Sequence, residues 1–275
     1  MAMKIIAFQG ERGAFSEEAA YRLLGHNLRV LPCESFRAAF RSVVRGLATH
    51  CLVPIENTLA GSVYENYDLL LENNLHIIGE VNLRIVHHLM AFPGTTLRNL
   101  RQVYSHPVAL AQCSRFFAQH PRLERIPFYD TAGSVKMLAE RRPAGAAAIA
   151  SRVAATAYGA RILKSHLEDH RENFTRFLLL SKVNQVSKKA NKVSIVFSTR
   201  NVPGALFKCL SVFALRDLDL CKMESRPLRG RPWEYFFYLD FIGNVQDAAV
   251  RKALAHLREV TNFLRVLGCY PSAPR

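Results

Sequence analysis

The chain has no apolar run near the roughly 20 residues that span a bilayer, which leaves no candidate for a membrane partner. Its start, Met1 to Gly10, lacks a basic segment followed by a long apolar core. It reads as a first strand, not a signal peptide, so a cytoplasmic setting is expected. The six cysteines (Cys33, Cys51, Cys113, Cys209, Cys221, Cys269) include no C-x-x-C pair. They read as reduced, buried thiols, which excludes a disulfide framework. Neither G-x-G-x-x-G nor a P-loop occurs, which argues against a nucleotide. The His166…His170 pair lacks the H-E-x-x-H order and a further ligand set. His87-His88 is placed within a strand, where neighbours face opposite sides, so both read as packing or surface residues. No metal and no cofactor are expected. Acidic residues are scarce, 22 against 37 lysines and arginines, for a formal charge of +15. The basic residues are spread along the whole chain, with dense runs only at Lys188-Lys189 and Arg226 to Arg231. That pattern suits attraction of small anions better than a nucleic-acid stripe.

What is present fits one large or two ordinary α/β domains: 275 residues, 49% apolar and 21% charged. Lys4 to Gln9 is strand-like and runs through Gly10-Glu11-Arg12-Gly13 into a helix over Glu17 to Leu24, with Ser16 as its cap. The glycine loop reads equally as a tight turn or as an anion cradle at a helix start. Ser35 opens a second helix. The strand Cys51 to Ile55 then stops at Glu56-Asn57-Thr58. Strands follow over His76 to Asn82 and Arg84 to Ala91. Val103-Tyr104-Ser105 meets His106-Pro107 and a helix over Val108 to His120. Ile126 to Tyr129 meets Asp130-Thr131-Ala132-Gly133-Ser134 and another helix, and Ala146 to Ala150 precedes a helix over Ser151 to Tyr158. Polar groups thus recur where strands end, the place at which α/β sheets bind ligands, and a mainly parallel, doubly wound unit is expected.

Val183 to Lys192 is polar, basic and aperiodic, which marks a linker between domains at 1–182 and 193–275. Beyond it the order is strand Val193–Ser198, helix Ala205–Leu215, strands Leu218–Met223 and Glu234–Ile242, helix Asp247–Glu259 and strand Leu264–Cys269. That is βαββαβ, a ferredoxin-like arrangement.

One further stretch, Asn173-Phe174-Thr175-Arg176-Phe177, sets a hydroxyl beside a guanidinium at the entrance to an apolar strand. The hydroxyl can assist a departing oxygen. The guanidinium offers a fork of donors that matches a carboxylate.

Taken in order, Gln9-Gly10…Gly13-Ala14-Phe15-Ser16-Glu17, Pro54-Ile55-Glu56-Asn57-Thr58, Ser105-His106-Pro107, Asp130-Thr131-Ala132-Gly133 and Asn173-Phe174-Thr175-Arg176-Phe177 resemble prephenate dehydratase and its relative arogenate dehydratase. The C-terminal part is similar to that family's ACT domain through Gly204-Ala205-Leu206-Phe207 and Glu224-Ser225-Arg226-Pro227. The resemblance implies a two-lobed, periplasmic-binding-protein-like catalytic domain followed by the βαββαβ domain. It also implies decarboxylating dehydration of prephenate to phenylpyruvate without a cofactor, or of arogenate to phenylalanine. Thr175 would meet the leaving hydroxyl, Arg176 would hold the retained carboxylate and Glu56 would orient the donors. Ser16, Asn57, Thr58, Thr131, Asn173 and Phe174 would complete the substrate site. L-phenylalanine would bind as effector at a subunit interface of a homodimer or homotetramer, on Asn201, Gly204, Ala205 and Leu206 and on Glu224, Ser225, Arg226 and Pro227. Val108 departs from the family's glutamine, and Thr58 from its commoner serine. A second reading from another class is a non-catalytic amino-acid sensor on the same architecture.

Overall fold

Lys4–Gln9 does not alternate: Ile6, Ala7 and Phe8 are all fully buried, as in a strand covered on both faces. The computed structural model describes residues 3–228, 230 and 233–274; Arg229 and Arg231 of the basic run lie outside them. Around that first strand, β1, the chain lays down α1 (Phe15–Leu24), β2 (Leu28–Cys33), α2 (Phe36–Val44), β3 (His50–Asn57), β4 (Gly61–Ser62), α3 (Tyr64–Glu72) and β5 (His76–Arg84). β1 pairs in parallel with β2 and β3.

The chain then leaves this sheet and builds another. Its elements are β6 (His88–Ala91), β7 (Gln102–Ser105), α4 (Pro107–Ala111), α5 (Ser114–Gln119), β8 (Glu124–Pro127), α6 (Thr131–Arg141), β9 (Ala146–Ala150), α7 (Arg152–Tyr158) and β10 (Arg161–Lys164). The strand order is β10-β6-β9-β7-β8. β7 runs parallel to β8 and β9, while β6 is antiparallel to β9 and β10. β11 (Phe174–Ser181) returns to the first sheet, giving the order β2-β1-β3-β11-β5. The unit is therefore two-lobed, with mixed pairing in the second lobe.

Glycine permits the lobes to meet. A Cβ on Gly13 (φ +85°) would lie 2.5 Å from Ala154 Cα, and one on Gly10 (φ +114°) 2.5 Å from Asp130 Oδ2. Both positions combine a left-handed backbone with a close approach. Ser151 Oγ also donates to Gly13 O at 2.6 Å. The loop is thus a seat for the second lobe.

By their contacts, residues up to Asn73 with Val81–Leu179 form one compact unit, and Asn74–Glu80 with Leu180–Pro274 form another. The second unit holds β12 (Lys192–Ser198), α8 (Ala205–Ala214), β13 (Leu220–Pro227), β14 (Tyr235–Ile242), α9 (Ala248–Val260) and β15 (Phe263–Tyr270). Its sheet, ordered β13-β14-β12-β15, is antiparallel throughout. Ile195, Phe197, Phe213, Phe241 and Leu257 form its core. Ala190 is buried in the same core, so the end of the expected linker packs with this unit.

Two local expectations are corrected. α1 starts at Phe15 with Ala14 in the capping position, so Ser16 is not the cap. The Glu17 carboxylate instead accepts from Gly13 N at 2.6 Å. The helix expected over Val108 to His120 breaks into α4 and α5, because Asp169 accepts from Ser114 N and Arg115 N and starts a new helix there. His166 to His170 is not helical, so its histidines do not stand one turn apart. No helix among the described residues is long and apolar enough to cross a membrane.

Candidate active site

The strand ends of the two lobes enclose a cavity of about 540 Å³. Ser16, Asn57, Thr131 and Thr175 border it, as does Val108. Helix starts dominate its wall: Phe15 and Ser16 open α1, Phe36 opens α2, Val63 precedes α3 and Thr131 opens α6. Each such start turns the positive end of a helix dipole toward the cavity. Among the described lining residues there is no lysine or arginine, and Glu34, Glu65 and Asp130 are the carboxylates. Asp130 Oδ1 caps α6 by accepting from Gly133 N at 2.8 Å. Burial pushes its pKa up, against the hydrogen bonds from Gly133 and Ala132. An anion here would be met by backbone dipoles and neutral donors.

Thr175 is buried on β11, and its Oγ1 accepts from Asn57 Nδ2 at 2.9 Å. Asn57 is held by its own turn, because Leu59 N and Ala60 N donate to its Oδ1 at 2.9 and 2.8 Å. The same Nδ2 reaches Asn173 Oδ1 at 2.7 Å. Asn173 Nδ2 in turn donates to Gln112 Oε1 at 2.9 Å, and His87 Nε2 lies 2.9 Å from that oxygen. A row of neutral groups thus runs from the threonine to a histidine. Thr175, having accepted, keeps its own hydrogen to donate.

Arg176 does not share this wall. Side chains alternate along a strand, and Arg176 pairs with Glu56 Oε1 at 3.1 Å. Neither residue is among those that border the cavity. The pair thus stands apart from the described lining that carries Thr175, to which the expected carboxylate clamp of Arg176 and donor-orienting role of Glu56 had been tied. Thr58 is an exposed stitch: its Oγ1 donates to Glu172 O at 2.8 Å and accepts from Phe174 N at 3.0 Å. Phe174 is exposed, and Asn173 serves through its amide without bordering the cavity.

The structure adds Gln112, His87 and His106. Gln112 ends α4, at the break between the two helices. His87 stands before β6, not within it, and is 2% exposed. The strand expected over Arg84 to Ala91 begins only at His88, so His87 lies in the connection that precedes it. His106 caps α4 through Nδ1, which accepts from Val108 N at 3.3 Å.

In the second unit, Asn201 is exposed, Gly204 (φ 78°) caps α8, and Ala205 and Leu206 begin that helix. Glu224 to Pro227 end β13, an edge strand.

The prephenate dehydratase model matches residues 6–185. Over 277 residues the chain is 46% identical to arogenate dehydratase/prephenate dehydratase 2, chloroplastic, of Arabidopsis thaliana, covering 97% of this chain and 72% of the relative. Among solved structures, prephenate dehydratase of Arthrobacter aurescens in complex with L-Phe aligns with a TM-score of 0.89 at 32% identity, over 97% of this chain and 89% of that one. GqqA, described as a novel type of quorum-quenching acylase, aligns with a TM-score of 0.91 at 33% identity, over 98% and 99% of the two chains. Matched over most of its length by the family model and nearly end to end by these relatives, the chain belongs to the prephenate dehydratase family.

Proposed function

We propose that the chain removes water and carbon dioxide from prephenate to give phenylpyruvate, as a lyase of phenylalanine biosynthesis. The observation that carries this is Thr175: it borders the cavity, accepts from Asn57 Nδ2 and has its hydrogen left to give. In the reaction the bond to the ring carboxylate breaks and its electron pair becomes part of the aromatic ring. The C–O pair departs with oxygen, which takes up one proton to leave as water. Hydrogen bonding or proton delivery to that oxygen is general-acid work. A hydroxyl polarised by an amide donor is suited to it. The dianion is drawn in by the positive field and seated by the helix starts, with Ser16 and Thr131 as neutral donors. Arg176 and Glu56 brace β11 from its other face.

Incubation with prephenate, followed by phenylpyruvate absorbance in alkali, tests the reading. Absence of product from prephenate, together with absence of phenylalanine from arogenate, overturns it and leaves the sensor reading. Arogenate is the second reading for the substrate, because the Arabidopsis relative's name includes both activities; the ratio of kcat/KM for the two decides. The acylase description stays with GqqA, since no serine or cysteine among the described residues bordering the cavity is hydrogen-bonded to a histidine.

We assign the second unit to regulation, as an ACT domain that takes L-phenylalanine on Asn201 and Gly204 to Leu206, with Glu224 to Pro227 supplied across a homodimer or homotetramer interface. The L-Phe complex of the Arthrobacter relative supports an effector role for that amino acid. Asn201→Ala is expected to raise the phenylalanine concentration that halves activity, with uninhibited kcat unchanged. A reducing compartment, the cytoplasm in this reading, suits cysteines that all stand free.

A further inference from the structure

The helix starts assigned to seating the dianion stand on different lobes. α1, with Ser16, follows β1 in the first, and α6, with Thr131, follows β8 in the second. The chain crosses between the lobes twice, from β5 to β6 and from β10 to β11. The two crossings are hydrogen-bonded to each other, Ile85 N to Asn173 O at 2.8 Å and Leu167 N to His87 O at 3.0 Å. Paired crossings of this kind let lobes swing as bodies, so further contacts must fix how close the lobes stand. The loop from Gly10 to Gly13 supplies such contacts, and Glu11 adds charge to them. Lys136 Nζ, on α6, lies 3.1 Å from each oxygen of the Glu11 carboxylate. Tyr129 donates its phenolic hydrogen to Glu11 Oε1 at 3.1 Å. Burial, with the Glu11 charge beside it, pushes the Tyr129 pKa up to about 12, so that hydrogen stays in place. Gly133 makes room for the tyrosine: a Cβ there would lie 2.7 Å from the ring carbon that carries the hydroxyl. Glu11 thus stands just before α1, and its two partners flank the start of α6. Tyr129 borders the cavity, whereas Glu11 and Lys136 are not among its described lining residues.

We propose that Glu11, Lys136 and Tyr129 form a latch that holds the cleft closed on its ligand, and so sets affinity and not the chemical step. The ion pair exists only while the lobes are together, because its members stand on different lobes. Opening moves the start of α1 away from the start of α6. A ligand that needs both helix starts binds the closed fraction, and its apparent Kd rises as that fraction falls. The Lys136 and Glu11 side chains remain 39% and 27% exposed, so the latch is weak enough to open at every turnover. Its effect on substrate affinity rests on the dehydratase reading; the latch itself does not.

Glu11→Gln and Lys136→Met remove the charge pair and leave the residues assigned to the site in place. In the full-length protein at low salt, KM for prephenate is expected to rise about three- to fivefold, with kcat within about twofold of the parent. The gap should close as ionic strength is raised, because the parent's latch is then screened as well. The exchanged pair, Glu11→Lys with Lys136→Glu, should bring KM back to within about twofold of the parent. A merely structural role would not be repaired by that exchange. Amide hydrogen exchange reads the latch without substrate. The segments 10–14 and 129–133 should both exchange faster in Glu11→Gln and return toward parental rates in the exchanged pair. Parental KM in Glu11→Gln, a fall in kcat at unchanged KM, or parental exchange in either segment overturns the proposal. Failure of the dehydratase reading would look different: the parent would not turn over prephenate, and the exchange rates would still decide whether the latch exists.

Discussion

Thr175 and Arg176 are adjacent on β11 but belong to two different environments. On the cavity face, Thr175 stands in a row of neutral groups: Asn57 donates to Thr175 and to Asn173, and Asn173 donates to Gln112. On the other face, a buried guanidinium is matched by a carboxylate at 3.1 Å. The neutral face sets direction: it determines which atom gives a hydrogen and which takes one. The charged face sets position, since a buried charge is tolerated only with its partner in place.

The largest expected effect comes from deleting the donor. Thr175→Ala should lower kcat by about 10²- to 10⁴-fold with the melting temperature nearly unchanged, and Thr175→Ser should recover most of the loss. Next comes a reversal of direction. Asn57→Asp can still accept from Leu59 and Ala60 but also accepts from Thr175, turning its hydrogen away from the cavity. A fall in kcat of about 10- to 100-fold is expected, and wild-type turnover would remove direction from the account. On the other face, Arg176→Met should cost about 1–3 kcal/mol in urea unfolding, with a smaller change in KM. If KM rises steeply while stability holds, the two faces are not distinct and Arg176 belongs to the substrate site.

The smallest effect concerns pH. His88 is buried beside His87, and desolvation with the Arg152 charge pushes its pKa from 6.5 down to about 4. In that window the unfolded chain binds a proton that the folded chain refuses. The contribution is complete above pH 6.5 and is lost as pH falls toward 4, by an amount on the order of 1–3 kcal/mol. Denaturant titrations of His88→Gln against the parent should converge or cross as the medium is acidified.

Much of this architecture was legible because its signals are local. β1, β3, β9 and β11 are apolar runs bounded by polar groups, and the βαββαβ order could be read from periodicity alone. Ser35, Asp130 and Ser151 cap helices as their residue types favour. Thr175, Asn57, Ser16 and Thr131 fell at strand ends or helix starts, where a ligand is expected. Other features depend on partners far along the chain. Gln112 became a site residue because Asp169, remote in sequence, starts a new helix just beyond it. His87 required the start of β6 to be known within one residue. The ion pair of Arg176 with Glu56 likewise joins residues far apart in sequence.

β11 is inserted between β3 and β5, although the whole second lobe separates it from them in sequence. During synthesis the residues of the second lobe, β6 to β10, emerge as one uninterrupted stretch. The first lobe meanwhile waits with a gap in its sheet, and the missing strand is the one that carries Thr175. Completing the fold and creating the reactive hydroxyl's surroundings are thus one event, and a nascent chain that stops short of β11 has no assembled centre.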